Sequence, residues 1–320
     1  MLWKGCWQVR FNVSVPASSA NLGSGFDTLA VALSLFTELR VESAARGIDV
    51  QGGPDLTGGD NLIEQGMIVA ATAAGLPVPP CRISVWSDIP VARGLGSSAT
   101  ALIAGLVAGN RLLGDPLSEQ RIFELATEIE GHGDNVSASL FGGVTLSLMS
   151  KGSVICRRIP LGGALNVVLF VPEFHGLTAD ARAVVPTVIP RQDAVSNLGR
   201  CALLLISLIN GDFAALGEAM QDSLHQPYRS ALFPHVTPMI EAAVAAGAYG
   251  ACLSGAGPSV LSFVDSSNAG RVSDVLNDVA GASGVPGEAI ILEIEANVAT
   301  VTESAQPDES RDRSTARSIG

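Results

Sequence analysis

The sequence predicts an α+β fold, because segments with the periodicity of strands and of helices are interspersed along the chain. Residues Val9–Val15 alternate between apolar and polar side chains, as a half-buried strand does. Apolar residues from Ala99 to Val107 recur at spacings of three and four, as on one face of a helix. A chain of 320 residues, 47% of them apolar, can bury the core of one large domain or of two medium ones.

The same patterns assign the elements in chain order. Strands are predicted at Val9–Val15, Leu29–Leu35, Glu38–Glu42, Arg82–Ser87, Val144–Leu148, Asn166–Val171, Ala248–Leu253, Ser259–Val264 and Ala289–Ile294. Helices are predicted at Asn61–Ala74, Ala99–Val107, from the N-cap candidate Ser118 through Ile129, and at residues 197–209. Small and polar residues predict a loop over Pro16–Asp27 and a turn over residues 51–60. We expect a boundary near residues 150–165, giving domains at 1–160 and 161–300 and a disordered polar tail at 301–320.

The basic residues are almost all arginine, which excludes several kinds of phosphate and carbonyl chemistry. Of 19 basic residues, only Lys4 and Lys151 are lysines. A P-loop NTPase needs a lysine at the end of its glycine-rich loop, and a protein kinase needs a strand lysine on the phosphates. Schiff-base enzymes need a lysine nucleophile. Lys4 is close to the first residue and Lys151 precedes a predicted strand, so lysine chemistry is not expected.

Charge and cysteine content predict a cytoplasmic protein. The formal net charge of −12 argues against nucleic-acid and anionic-membrane partners. No long apolar run precedes Arg10, and the longest uncharged stretch, Ala242–Val264, is interrupted by glycines and a proline, so neither a signal peptide nor a membrane span is expected. Five widely spaced cysteines are expected to be buried thiols in a reducing compartment: Cys6, Cys81, Cys156, Cys201 and Cys252.

Residues Pro90–Ala99, with the sequence PVARGLGSSA, form a glycine-rich turn between a predicted strand and a predicted helix. Gly94 and Gly96 allow the backbone to turn so that successive N–H groups converge on an anion. The N-terminus of the following helix directs its own N–H groups to the same place. The hydroxyls of Ser97 and Ser98 can bind phosphate oxygens or a magnesium ion. The alternative is a plain strand-to-helix turn with a serine cap, which is the better interpretation of an isolated Gly-x-Gly.

This segment resembles the phosphate loop of the GHMP kinases, small-molecule kinases that bind ATP without a P-loop lysine. Two more segments resemble signatures of that superfamily, PASSANLGSGFD at Pro16–Asp27 and LSGAGPS at Leu253–Ser259. The segments EGHGDN at 130–135, TADARAVVP at 178–186 and LHQPYR at 224–229 are most similar to the homoserine kinases. The resemblance implies a two-domain GHMP kinase fold, with a ribosomal-protein-S5-like N-terminal domain and a ferredoxin-like C-terminal domain.

The resemblance also implies an ATP site with a magnesium ion beside it. Ser98 and Glu130 are the expected ligands of Mg²⁺, which accepts a hydroxyl and a carboxylate together with phosphates and water. Taken alone, Glu130 would be interpreted as a solvated helix end. Asn61, which opens a predicted helix, is a candidate adenine contact. ATP is otherwise expected at Pro90, Val91, Ala92, Arg93, Gly94, Leu95, Gly96, Ser97, Ser98, Ala99 and Thr100, with the Arg93 side chain directed away from the phosphates.

A site for the zwitterion homoserine needs a guanidinium for the carboxylate and a carboxylate for the ammonium. The resemblance assigns Arg182 and Arg229 to the substrate carboxylate, although most single arginines are surface residues. Asp27 suits the ammonium and Asn21 can hydrogen-bond the substrate, unless both only stabilise turns of the first loop.

Another group of residues is expected to hold the reacting hydroxyl or to close over the substrate. Asp134 and Asn135 are the expected catalytic pair, with Asp134 orienting the hydroxyl first and acting as a base second. Ser254 and Gly255 are expected to close over substrate or phosphates; a hairpin turn without a ligand is the alternative. His132 and His225 are interpreted as structural.

The activity implied by the resemblance is the ATP-dependent phosphorylation of L-homoserine to O-phospho-L-homoserine, a step of threonine biosynthesis. Two alternatives are another GHMP small-molecule kinase of the mevalonate or shikimate type, and a non-catalytic regulator that binds ATP or a metabolite on the same fold. The expected partner is a small-molecule substrate, with no nucleic acid and no membrane, and a homodimer is an option.

Overall fold

The computed structural model describes residues 9–53, 61–150 and 152–303, which form the α+β fold expected from the sequence. The strands are β1 (Arg10–Ala20), β2 (Leu29–Ser43), β3 (Ile48–Gly52), β4 (Cys81–Ser87), β5 (Val144–Ser150), β6 (Ser153–Ile159), β7 (Asn166–Pro172), β8 (Gly250–Leu253), β9 (Val260–Val264), β10 (Gly287–Glu293) and β11 (Thr300–Glu303). The helices are α1 (Leu62–Ala74), α2 (Ser97–Leu112), α3 (Glu119–Glu130), α4 (Asp134–Phe141), α5 (Thr178–Ala183), α6 (Arg191–Asn210), α7 (Leu216–Ala219), α8 (Gln226–Arg229), α9 (Val236–Ala245) and α10 (Ala269–Ser283).

The strands form two sheets. The larger sheet has the order β11-β1-β2-β4-β3, and β5 extends it by pairing with both β2 and β6. Its strand pairs are antiparallel except β3 with β4, which run parallel. The smaller sheet has the order β10-β7-β9-β8 and is antiparallel throughout. The first sheet thus comes mainly from the first half of the chain, and the second sheet from the second half.

The loop predicted over Pro16–Asp27 begins later than expected, because β1 continues through Ala20. The pairing of β1 with β2 shifts register between Pro16 and Ala17, so the proline lies at an irregularity of the ladder. Small residues have low strand propensity, but here they have a packing role: Ala20, Ala30 and Ala32 form a buried cluster with Ala138 of α4. Without larger side chains between them, α4 can approach the sheet closely.

Two predicted helix starts are confirmed by their caps. The Asn61 side chain accepts hydrogen bonds from the N–H groups of Ile63 and Glu64, at 3.0 and 3.2 Å, and so begins α1. The Ser118 hydroxyl accepts from the N–H of Arg121 at 3.2 Å and begins α3. The strand expected after Lys151 is β6, whereas several other elements were not expected from the sequence: β3, β11, α4, α5, α7, α8, α9 and α10. Conversely, the predicted strands at Leu29–Leu35 and Glu38–Glu42 are one continuous strand, β2.

Besides the small alanine cluster, three apolar cores hold the described residues together. One lies between the larger sheet and helices α1 to α3 and contains Met67 and Leu102. Another lies between the smaller sheet and helices α9 and α10 and contains Leu276. The core between them combines residues of both halves, such as Leu29 from β2 and Leu169 from β7. The two halves are therefore packed against each other through a shared apolar interior.

The chain returns to its first sheet after completing the second. Strand β11 pairs with β1, Phe11 lying opposite Glu303. The disordered tail expected at 301–320 is wrong for Val301–Glu303, which are part of a strand, and the rest of that segment, residues 304–320, lies outside the described residues. Cys6 and both lysines also lie outside them, as does most of the turn predicted at 51–60. Across the described parts of the chain, no helix has the length and apolar content needed to span a bilayer.

Candidate active site

A cleft between the two halves of the chain brings together most of the predicted site residues. It encloses ≈80 Å³. The first half contributes the end of β1, the loop before α2, and the start of α4, and the second half contributes α5, α8 and the turn between β8 and β9. The cleft is lined by Ala20, Asn21, Asp27, Ala92, Gly94, Leu95, Gly96, Ser97, Ser98, Glu130, His132, Asp134, Asn135, Thr178, Arg182, Arg229, Gly255 and Ala256.

The glycine-rich loop presents backbone N–H groups to the cleft. Gly94 and Gly96 have φ values of 75° and 66°, in the left-handed region that glycine tolerates. Gly96 is also the N-cap of α2, so no side chain occupies the N–H groups of the first turn. A Cβ on Gly96 would stand 2.3 Å from Ser18 Oγ and 2.9 Å from Asn135 Oδ1. The loop is therefore a close-fitting cradle with unpaired donors, which suits a phosphate group.

The turn between β8 and β9 supports this loop from the other half of the chain. The Ser254 hydroxyl lies 2.7 Å from the carbonyl of Gly94 and 2.8 Å from Ser19 Oγ. Ser254 is fully buried and does not line the cleft. The Ser254 hydroxyl, which was expected near the substrate, instead bonds the phosphate loop to the turn between β8 and β9. Gly255 does line the cleft, as expected.

The two predicted magnesium ligands lie together. Glu130 ends α3 with only 13% of its side chain exposed, so it is not the solvated helix end of the alternative interpretation. Burial raises the pKa of Glu130 above its ordinary value, while His132 and the hydrogen bond from Ser98 act to lower it. A buried carboxylate with a hydroxyl beside it gives two hard oxygen ligands. This donor set fits Mg²⁺, which is commonly bound by one or two carboxylates together with phosphates and water.

His132 was not expected in the site, yet it lines the cleft between two carboxylates. Its Nδ1 lies 2.6 Å from Asp134 Oδ1, and its Nε2 lies 4.0 Å from Glu130 Oε2. Burial is the largest single effect and acts to lower the pKa of His132, but the hydrogen bond to Asp134 and the charges of Asp134 and Glu130 together outweigh it and raise the pKa above its ordinary value. The sequence signal was the placement of this histidine between Glu130 and Asp134 within six residues. Ala20, Thr178 and Ala256 also line the cleft without having been singled out.

The Asn135 amide has its orientation set by a chain of hydroxyls. Ser139 Oγ donates to Ser18 Oγ at 2.9 Å, and Ser18 Oγ donates to Asn135 Oδ1 at 3.0 Å. With Oδ1 engaged in this way, the NH₂ group of Asn135 is left to donate. Asp134 is 2% exposed, and its Oδ1 accepts from His132 and from the N–H of Asn135. Both predicted catalytic residues are therefore held in place by neighbours at the start of α4.

The residues predicted for the two ends of the substrate pair with each other. Arg182 donates from Nη2 to Asp27 Oδ1 at 3.0 Å and from Nη1 to Asp27 Oδ2 at 3.3 Å. The pair is partly open to solvent, with 40% and 37% of the side chains exposed. Asn21 lies beside it, its NH₂ donating to the Gly255 carbonyl and its Oδ1 accepting from the N–H of Asp27. Asn21 thus supports the loop as an Asx-type residue and also faces the cleft.

Arg229 is almost completely buried, with 2% exposure. Its Nε donates to the Ala181 carbonyl at 2.9 Å, and its Nη1 to the Gly255 carbonyl at 3.1 Å. Burial, followed by the charge of Arg182, lowers its pKa to about 10, so it stays protonated at neutral pH. A buried cation that lines a cleft favours an anion there.

Six of the predicted ATP-site residues do not line the cleft: Asn61, Pro90, Val91, Arg93, Ala99 and Thr100. The Arg93 side chain donates to the carbonyls of Val91, Pro172 and Glu173, which agrees with the expectation that it points away from the phosphates. Thr100 Oγ1 donates to the Gly96 carbonyl at 2.8 Å and so supports the loop from inside α2.

Family models match both halves of the chain. The model described as GHMP kinases N terminal domain matches residues 61–143, and the model described as GHMP kinases C terminal matches residues 204–281. The homoserine kinase of Desulfitobacterium hafniense is 40% identical over 294 residues, covering 90% of this chain and 99% of that protein. The homoserine kinase of Deinococcus radiodurans is 41% identical over 301 residues, covering 92% and 98%.

Solved structures agree. The crystal structure of homoserine kinase from Cytophaga hutchinsonii superposes with a TM-score of 0.84 at 26% identity, covering 94% of this chain and all of that one. Phosphomevalonate kinase of Streptococcus pneumoniae shares the fold, with a TM-score of 0.66 at 12% identity over 89% of this chain and 99% of that one. The segments that form the cleft and the matches over most of the chain lead to one assignment: the chain belongs to the GHMP kinase family and, within it, groups with the homoserine kinases.

Proposed function

We propose that this chain transfers the γ-phosphoryl group of ATP to the hydroxyl of L-homoserine, producing O-phospho-L-homoserine for threonine synthesis. The observation that carries the proposal is the cleft itself, where a lysine-free phosphate loop faces an aspartate and two arginines. A phosphoryl acceptor with one ammonium and one carboxylate matches that charge arrangement. The relatives that match most of the chain are named homoserine kinase, which supports the same substrate.

Substrate binding in this proposal is an exchange of ion pairs. The ammonium of homoserine takes the place of Arg182 at Asp27, and its carboxylate receives Arg182 and Arg229. Since the Asp27–Arg182 pair is partly exposed, it costs little to separate when both partners gain new charged ligands. A substrate with only one of the two charges leaves either Asp27 or Arg182 unpaired. The proposal therefore explains selection of a zwitterion.

Phosphate binding in the proposal relies on the backbone. The N–H groups of the loop around Gly94 and Gly96 and of the first turn of α2 receive the phosphate oxygens of ATP. Glu130 and Ser98 are positioned to hold Mg²⁺. When bound, this ion would neutralise charge on the phosphates and orient them. Asn61 remains a proposed adenine contact.

The acceptor hydroxyl is oriented by residues at the start of α4. Asn135 offers its NH₂ group, and Asp134 offers the oxygen that His132 does not occupy. In a loose phosphoryl-transfer transition state the nucleophile loses its proton late, so orientation matters more than basicity. Asp134 orients the hydroxyl and accepts its proton as the new P–O bond forms.

We also propose a cytoplasmic location and a homodimer. The described thiols are free, and burial raises the pKa of Cys81 and Cys156 to about 11, as suits unreactive thiols in a reducing compartment. Helix α6 has an exposed apolar row that includes Val195, Leu198 and Ile206, with 63%, 72% and 57% exposure. A second copy can bury this row. Sedimentation velocity on the wild-type protein tests the proposed dimer. A single species of 32.8 kDa, the mass of one chain, at micromolar concentration contradicts it.

The decisive experiment measures ADP release with ATP, Mg²⁺ and one acceptor at a time. We expect turnover with L-homoserine and none with mevalonate or shikimate, which have a carboxylate but no ammonium. Absence of homoserine-dependent turnover overturns the proposal and leaves the non-catalytic regulator as the better interpretation.

Asp27→Asn tests the ammonium contact within the same assay. We expect KM for homoserine to rise about 10- to 100-fold, as for loss of a hydrogen bond to a charged group, with KM for ATP unchanged. Asp49→Asn is the matched control, because it breaks an exposed aspartate–arginine pair with Arg82 away from the cleft. Unchanged homoserine kinetics in Asp27→Asn would show that the ammonium binds elsewhere.

A further inference from the structure

His225 is a buried histidine that the phosphoryl-transfer chemistry does not use. It is 0% exposed and lies directly before α8, four residues ahead of Arg229. The sequence suggested only a structural role. Its hydrogen bonds connect the first motif of the chain to the arginine predicted to bind the substrate carboxylate.

The partners of the two ring nitrogens determine where the proton is. Nε2 lies 3.0 Å from the carbonyl of Gly23 and 3.6 Å from Asp222 Oδ2, both of which only accept hydrogen bonds. Nδ1 lies 3.2 Å from Arg229 Nη1, which only donates. The proton must therefore be on Nε2, and Nδ1 must offer its lone pair to the arginine. A doubly protonated ring would place N–H against N–H beside a second cation.

The surroundings favour this neutral ring. Burial lowers the pKa of His225, which outweighs the opposite effect of Asp222. The Asp222 carboxylate is itself occupied by the backbone N–H groups of Leu224, His225 and Gln226. Phe26 stacks on the imidazole at 4.9 Å between ring centroids, and the Arg229 guanidinium lies 5.4 Å from the Phe26 ring.

The orientation of Arg229 follows from three acceptors. Nε is bound by Ala181, and Nη1 is bound by both Gly255 and His225. Within the described residues, Nη2 makes no hydrogen bond, and no carboxylate forms an ion pair with the guanidinium. The donors of Nε and Nη1 are thus used by protein, and the Nη2 donors are left for a ligand in the cleft.

We propose that His225 is a positioning residue for Arg229: as a neutral acceptor it fixes Nη1 and directs the free Nη2 donors at the carboxylate of the amino-acid substrate. The inference rests on the proposed function, since it needs an anionic group of the substrate at Arg229. It assigns His225 a role in substrate affinity and none in phosphoryl transfer.

Three substitutions separate this role from general packing. His225→Asn places an amide oxygen where Nδ1 was and keeps an acceptor for Arg229. His225→Gln places an amide NH₂ where Nε2 was, keeping the donor to Gly23 and losing that acceptor. His225→Leu removes both. We expect KM for homoserine to rise about tenfold in His225→Gln and His225→Leu and to stay within about threefold of wild type in His225→Asn. In all three variants, kcat and KM for ATP should change little.

His235→Leu is the matched control. His235 is also buried and bonded to a carbonyl, that of Pro258 at 2.9 Å, but no arginine among the described residues is hydrogen-bonded to it. We expect it to lower Tm without raising KM for homoserine. The positioning role is wrong if kcat of the three His225 variants instead falls in the order of their Tm values while KM for homoserine is the same in all three. The positioning role is also wrong if His225→Leu has the kcat and the KM for homoserine of the wild-type protein. If the wild-type protein itself does not turn over homoserine, the proposed function is rejected first.

Discussion

At Gly94 the phosphate loop lies against the backbone of the second half of the chain. The Gly94 φ of 75° is a left-handed conformation, and a Cβ there would stand 2.2 Å from the Ser254 carbonyl oxygen. Gly94→Ala therefore has a conformational cost of about 1–2 kcal/mol and a clash with backbone that cannot move aside. We expect the loop to shift by an ångström or so and kcat/KM to fall about 100-fold in the homoserine assay.

Gly75→Ala is the control for the conformational part of that effect. Gly75 ends α1 with φ 68°, and a Cβ there meets nothing within 4 Å. The Gly75→Ala protein should lose about as much free energy of unfolding as the conformational cost in Gly94→Ala, measured by urea unfolding, and should retain wild-type turnover. Equal kinetics in the two variants would show that the contact with Ser254 does not position the loop.

The buried carboxylate of Glu130 lowers the stability of the folded protein when it ionises, although we expect the reaction to need it. Because burial raises its pKa, the folded protein binds more protons than the unfolded chain as pH rises above the ordinary carboxyl range, so ionisation of Glu130 lowers stability there. Glu130→Gln removes that cost. We expect a higher Tm than wild type at pH 7 without nucleotide, the difference vanishing at acidic pH, and a loss of turnover of roughly 100-fold.

Glu128→Gln, on the exposed side of the same helix, is the matched control and should leave both Tm and turnover nearly unchanged. A Glu130→Gln protein that is less stable than wild type at pH 7 would contradict the assignment of a desolvated carboxylate.

At the scale of elements, the start of each helix decides what its N–H groups can do. Helix α1 begins with a side-chain cap from Asn61, whereas α2 begins at Gly96 with no side-chain cap. A capped helix end is already satisfied, and an uncapped one is available to a ligand. This difference agrees with phosphate binding at α2.

The two expectations for Asn61 can be separated by substitution. Asn61→Ala removes both the cap and the amide, so we expect a loss of about 1 kcal/mol in the free energy of unfolding. Asn61→Asp keeps a capping oxygen and removes the NH₂ donors, so stability should be retained. A raised KM for ATP in both variants supports the adenine contact. An unchanged KM for ATP in Asn61→Asp leaves the cap as the role of this residue.

At the scale of the whole molecule, the shared core makes the two halves interdependent. Leu29 and Leu169 belong to the same buried cluster, and β11 returns from the second half to pair with β1. We expect one calorimetric transition with equal calorimetric and van't Hoff enthalpies. Leu276→Ala, in the core of the second half alone, should shift the whole transition by a destabilisation of about 2–5 kcal/mol. A separate low-temperature transition in that variant would show independent domains.

Local patterns were sufficient to predict much of the site. Helix starts at Asn61 and Ser118 depend on side-chain caps within three residues, and those interactions are readable in sequence. The glycine-rich loop is equally local. The continuation of β1 through small residues was missed because its cause is the approach of α4, which propensity does not encode. Ser254 was expected near the substrate because it belongs to the LSGAGPS motif, and the sequence did not indicate that its hydroxyl bonds Gly94, 160 residues away.

The sequence by itself determined the superfamily and the kind of chemistry. Motifs of glycine, serine and acidic residues, in a chain almost without lysine, resemble those of the GHMP kinases, which bind ATP without a P-loop lysine. Tertiary structure decided the details that depend on distance and burial. These are the pairing of Asp27 with Arg182, the placement of His132 between two carboxylates, and the contact of His225 with Arg229. The physical reason is that hydrogen bonds and desolvation act within a few ångströms, and only folding brings such distant residues together.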